Sequence, residues 1–111
     1  MIILTRTFDL TRWLLPVALK FPREHRFFVT QRLLNAALDF QEALYDANAR
    51  SGQARLSCLE SADAHLDKVR LYIRLAGEWQ LITDGQHRHV TKMVAEVGRL
   101  LGGWIKQTRG R

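Results

Sequence analysis

The sequence predicts an all-α chain folded as an antiparallel, up-and-down four-helix bundle, and three observations lead there. Proline or glycine marks Phe21-Pro22-Arg23, Ser51-Gly52-Gln53 and Thr83-Asp84-Gly85 and recurs in the tail, where a bundle places its connections. Between these breaks apolar residues recur at spacings of three and four, which gives each helix one buried face. No alternating apolar and polar run competes for a strand. Three breaks make four helices, over 9–20, 24–49, 54–80 and 87–108, in one domain spanning 1–111 with flexible ends at about 1–5 and 108–111. Short connections make consecutive helices antiparallel neighbours.

The first helix carries Leu10, Trp13, Leu14, Val17, Ala18 and Phe21 on one stripe, with Arg12 and Lys20 off it. Pro16 lies opposite that stripe, and its missing amide predicts either a kink or the true first turn of the helix. The second helix buries Leu33, Leu34, Ala37, Phe40, Leu44 and Tyr45 and turns an acidic face outward through Asp39, Glu42 and Asp46. The third has one apolar stripe of Leu59, Ala62, Leu66, Val69, Ile73 and Ala76, and in its C-terminal half a second, nearly opposite, of Leu71, Tyr72, Leu75 and Trp79. A bundle helix buries only one face, so the second stripe predicts either a wide intramolecular core or, in preference, contact with a neighbouring subunit.

The fourth helix faces the core with Val90, Met93, Val94, Val97, Leu100, Leu101, Trp104 and Ile105. Opposite stand Arg88, Lys92, Arg99 and Lys106, with Ala95 and Gly102 between them and Gly98 and Gly103 near the borders. Such a stripe is either a solvated charged face beside small residues that let helices pack, or a surface that a partner's backbone can approach closely.

Seventeen Lys and Arg against eleven Asp and Glu leave a formal charge of +6, which predisposes the surface toward RNA, DNA or anionic lipid. Membrane-surface binding is the weakest of these, because the apolar face opposing the helix-four cations is needed for the core. The single cysteine, Cys58, has no internal disulfide partner, which fits a reducing compartment. The apolar opening is broken by Arg6, Asp9 and Arg12, leaving neither a signal-peptide core nor a span of about 20 apolar residues. The expectation is a cytoplasmic protein without membrane association.

Catalytic and metal constellations are missing from the pattern. His25, His65, His87 and His89 have no converging cysteine or carboxylate set, and structural sites normally need four ligands. Cys58 stands outside any nucleophile motif. Asp63 and Asp67 are most simply partners for Lys68, Arg70 and Arg74. No enzyme activity, metal or cofactor is expected. Arg70 and Arg74 are a like-charge pair one helical turn apart, which calls for compensation. Either Asp67 and Glu78 supply it locally, or the two guanidinium groups grip phosphate or a partner's carboxylates.

Three stretches carry a resemblance to a known family: Phe21-Pro22-Arg23-Glu24-His25-Arg26-Phe27 through Thr30-Gln31-Arg32-Leu33, Leu66-Asp67-Lys68-Val69-Arg70-Leu71-Tyr72-Ile73-Arg74-Leu75-Ala76, and Ala95-Glu96-Val97-Gly98-Arg99-Leu100-Leu101-Gly102-Gly103-Trp104-Ile105. The chain resembles the four-helix-bundle accessory variability proteins of diversity-generating retroelements, relatives of proteins encoded in bacterial ribosomal-RNA intervening sequences. It departs from them in a short N-terminal region and in Pro16. The resemblance implies a basic, barrel-like homopentamer that binds RNA or DNA and associates with a reverse transcriptase, supporting adenine-mutagenic copying of a template repeat. Arg70 and Arg74 match the family's paired positions. With Arg23, Arg26, Arg88, Lys92, Arg99 and Lys106 they are the candidate contacts to nucleic acid or polymerase, and Leu71, Tyr72, Leu75 and Trp79 the candidate subunit contacts. The alternative is a structural protein–protein module of the intervening-sequence type, with incidental nucleic-acid affinity.

Overall fold

The first buried side chain is Ile3, and the helix that buries it begins seven residues earlier than its obvious apolar stripe suggests. In the computed structural model, which describes residues 1–110, helix α1 runs Ile2–Leu19, α2 Gln31–Asn48, α3 Gly52–Glu78 and α4 Asp84–Arg109. A 3₁₀ turn at Arg23–His25 and a π-turn at Arg26–Thr30 precede α2. Each helix packs on the next and α4 returns to α1, while the backbones of neither diagonal pair approach closely among the described residues. That is the up-and-down order, and no strand occurs among the described residues. The 27 residues of α3 span about 40 Å at 1.5 Å per residue and set most of the 46 Å long dimension.

In α1 the buried stripe is Ile3, Thr7, Leu10, Thr11, Leu14 and Ala18. Two of its members are threonines, so a hydrophobicity pattern alone stops short of the true start. The stretch 1–5, expected as a flexible end, is thus helical from Ile2, with Ile3 in the core. Pro16 sits inside the helix near its end and does not mark its first turn. Trp13 and Val17 pack half-buried against the core.

Pro22 is extended, with φ −53° and ψ 147°, which ends the first helical run. The chain re-enters helix through the 3₁₀ turn, and within the π-turn the Gln31 amide donates to the Arg26 carbonyl five residues back. Thr30 Oγ1 donates to the Ala18 carbonyl at 3.2 Å, pinning the start of the second helix to the end of α1. The expected range 24–49 is therefore helical, but not uniformly α.

Leu33, Ala37, Phe40 and Leu44 of α2 are buried, whereas Leu34 is half-buried and Tyr45 is 51% exposed. Tyr45 therefore lies off the expected core face: Ala36, Ala43 and Ala47 are buried as well, so the core-facing side is rotated toward these small residues and away from Tyr45. Gly52, with φ +59°, supplies the left-handed turn into α3. Arg55 donates to the Ala47 carbonyl at 3.0 Å, closing the end of α2.

All six residues of the principal α3 stripe are buried. The helix ends with Leu81 donating to the Ala76 carbonyl at 2.8 Å and Gln80 to Gly77 at 3.1 Å. This closure requires a left-handed residue, and Gln80, at φ 57°, takes that place. Helix α4 starts at a reciprocal cap in which Gln86 N donates to Thr83 Oγ1 at 3.0 Å and Thr83 N to Gln86 Oε1 at 2.9 Å. Val90, Val94, Val97, Leu101 and Trp104 are buried, while Met93, Leu100 and Ile105 are half-buried. The end expected to be flexible at 108–111 is helical through Arg109, and Arg111 lies outside the described residues.

Candidate nucleic-acid and partner interface

The antiparallel order gathers the end of α1, the start of α2, the end of α3 and the start of α4 at one end of the bundle, where His25 and Trp79 bring their ring centroids to 5.3 Å. Arg23, Arg26, Arg74 and Arg88 belong to this end. Arg88, Lys92, Arg99 and Lys106 all lie exposed along α4, a stripe of about 27 Å at 1.5 Å per residue. None of the four is in an ion pair among the described residues. A Cβ at Gly102 or Gly103 would meet nothing within 4 Å, so no packing demands these glycines and the helix surface beside the cations stands open.

Gly98 is different. A Cβ there would collide with Nη2 of Arg70, so the guanidinium of α3 is laid into a notch of α4. Arg70 Nη1 also donates to Asp67 Oδ1 at 2.8 Å. The reciprocal arrangement occurs one cleft-length away. A Cβ on Gly77 of α3 would stand 2.8 Å from Cδ2 of His87 on α4, so that ring fills a notch in α3. Between the two notches opens a cleft of about 380 Å³ with Ile73, Val94 and Ala95 on its apolar side and Arg70, Arg74, His87 and Thr91 as its polar lining. Arg74 makes no ion pair among the described residues, and its expected link to Glu78 does not form. The compensation for the like-charge pair is therefore one-sided: Arg70 is neutralised and held, while Arg74 is left for another anion.

The second stripe of α3 is less uniform than its spacing implies. Leu71 is 50% exposed, Leu75 is half-buried, and Tyr72 packs against the core. Trp79 lies just beyond α3, 52% exposed, with one side against His25.

Another apolar flank is not evident from the sequence. On α1, Arg6 pairs with Glu96 of α4 at 2.9 Å and Trp13 meets His89 in a tilted contact with ring centroids 5.4 Å apart, so these positions mark the side toward α4. Leu4, Phe8, Leu15 and Leu19 then fall on the other flank, where α2 contributes Leu34, Leu38 and Tyr45. Phe8, Leu19, Leu38 and Tyr45 are exposed. Their spacings of four and seven are a readable signal, hidden because Leu34 and Tyr45 also fit a broad core face.

The histidines pack individually. His25 and His89 lie against tryptophans and His87 on Gly77, while His65 Nδ1 is buried without a hydrogen-bond partner among the described residues. Among the described residues no three His, Cys, Asp or Glu side chains group as metal ligands, and no helix is long and apolar enough to cross a membrane.

A family model described as bAvd-like matches residues 1–108. No curated protein matches the chain. Among solved structures, a protein of unknown function from the S23 ribosomal protein family of Bacteroides thetaiotaomicron superposes with a TM-score of 0.86 at 14% identity, covering 95% of this chain and 96% of that one. At that identity the likeness speaks for the four-helix fold.

Proposed function

The chain belongs to the bAvd-like family, and from that premise we propose that it is a non-catalytic, cytoplasmic accessory protein of a diversity-generating retroelement. It binds nucleic acid and the element's reverse transcriptase and supports mutagenic copying of a template repeat. The observation that carries this reading is the segregation of uncompensated cations onto the open face of α4 and into the α3/α4 cleft. Phosphates neutralised there release condensed counterions, so affinity is sequence-tolerant and falls steeply with salt. The cleft offers the polymerase a different kind of contact, in which Arg74 takes a carboxylate beside an apolar floor.

The working unit is a barrel-like homopentamer. Two apolar surfaces at different places, the α1/α2 flank and the Leu71, Leu75 and Trp79 surface by the C-terminal half of α3, support it, because a head-to-tail ring joins two unlike patches. Five chains at +6 give about +30 in total, a strong attractor for polyanions.

A structural interaction module of the intervening-sequence type is the second reading, favoured by the extent of exposed apolar surface. The two are separated by co-purifying the chain with a reverse transcriptase of a diversity-generating retroelement. The accessory reading expects a complex that Arg70→Ala with Arg74→Ala disrupts while helicity and oligomer size persist. A complex formed equally well by the double variant removes these arginines from the interface, and no complex at all removes the accessory role.

A further inference from the structure

The π-turn ahead of α2 holds two consecutive aromatic rings in solvent. Phe27 is 72% and Phe28 67% exposed, while the next two residues, Val29 and Thr30, are buried. Val29 sits in the core and Thr30 is bonded to Ala18, so the turn is anchored and the rings are held outward by its geometry. Consecutive side chains on a helix diverge by up to about 100°. The two phenyl rings therefore splay, leaving faces open. Around them, residues 20–32 contain Lys20, Arg23, Arg26 and Arg32 against the single acid Glu24. All four cations are exposed, and none is in an ion pair among the described residues. The half-exposed Trp79 adds a third ring beside His25.

We infer that this end of the bundle is a stacking platform for unpaired nucleotides, with Phe27 and Phe28 receiving bases of a single strand while Arg23 and Arg26 take the phosphates between them. The inference rests on the nucleic-acid binding proposed above and adds a ligand class to it. Duplex bases have both faces covered by their neighbours, so exposed rings gain from a single strand what they cannot gain from a duplex, and they do so without sequence preference. An anionic membrane suits the site less well. Interfacial helices present a long apolar face, whereas these rings are two adjacent residues bracketed by Arg26, Gln31 and Arg32. A second copy docked across a two-fold axis would set this cationic segment against itself.

The test compares a short fluorescein-labelled oligouridylate with its duplex to oligoadenylate, by anisotropy, for the wild-type chain, Phe27→Ala/Phe28→Ala and Phe27→Tyr/Phe28→Tyr. Base stacking on an aromatic ring predicts that the alanine pair loses at least about tenfold in single-strand affinity. Duplex affinity, helicity and oligomer size stay at wild-type values, and the tyrosine pair restores single-strand binding. Unchanged single-strand affinity in the alanine pair overturns the platform while leaving nucleic-acid binding in place. Loss of oligomer size assigns the rings to a second copy, and loss of binding to phosphatidylserine vesicles with oligouridylate unaffected assigns them to lipid; either result overturns it. A wild-type chain that binds neither strand nor duplex overturns the nucleic-acid reading itself.

Discussion

Arg70 of α3 rests its guanidinium over Gly98 of α4, in a space that any larger residue would close. The notch fixes where the positive charge stands relative to the cleft, and Asp67 holds it from the other side. Replacing Gly98 by alanine therefore separates stability from binding. A glycine inside a helix is destabilising by about 1 kcal/mol relative to alanine, and the obstructing atom is the end of a flexible side chain. Gly98→Ala should melt at or above the wild-type temperature while weakening the complex with the reverse transcriptase. A variant that is more stable and binds as well as wild type would show that the seat of Arg70 is irrelevant to the partner.

The reciprocal cap between Thr83 and Gln86 closes the first turn of α4. Thr83→Ala removes the acceptor for the Gln86 amide, and urea denaturation should register a loss of about 1 kcal/mol.

Gln80 occupies the left-handed position that ends α3, where a side chain is strained by about 1–2 kcal/mol. Gln80→Gly should raise stability by about 1 kcal/mol in the same titration, after offsetting the greater freedom of glycine in the unfolded chain. A loss of stability would mean that the Gln80 side chain makes a compensating contact.

Thr7 is fully buried, and its Oγ1 has no hydrogen-bond partner among the described residues. Valine keeps the branched shape and removes the desolvated hydroxyl. Thermal unfolding of Thr7→Val should show a gain of about 1 kcal/mol.

Most of the fold can be read from periodicity because its strongest signals agree. The α3 stripe from Leu59 to Ala76 and the α4 cations reach their expected sides. Periodicity fails where burial and polarity part company. Thr7 and Thr11 conceal the start of α1, and Ala36 and Ala43 rotate the α2 core away from Tyr45. The candidate site is legible as a set of charges but not as a geometry. Spacing places Arg70 and Arg74 one turn apart, yet only the folded packing, with Arg70 seated on Gly98 and bonded to Asp67, distinguishes the held arginine from the open one. Phe27 and Phe28 give no surface signal in the sequence because two adjacent aromatics in an apolar run resemble core residues, and the π-turn that turns them outward has no simple sequence period.

In the proposed function the α4 cations serve nucleic acid and not self-assembly. Lys92→Glu with Arg99→Glu tests it most directly, with RNA affinity and particle size measured on the same preparation across a salt series. Particle size should stay unchanged, with much weaker RNA binding and a shallower slope of log affinity against log salt, reduced by roughly one unit for each phosphate that the variant no longer neutralises. A particle that falls apart into smaller species while the separated chains keep their RNA affinity would contradict it.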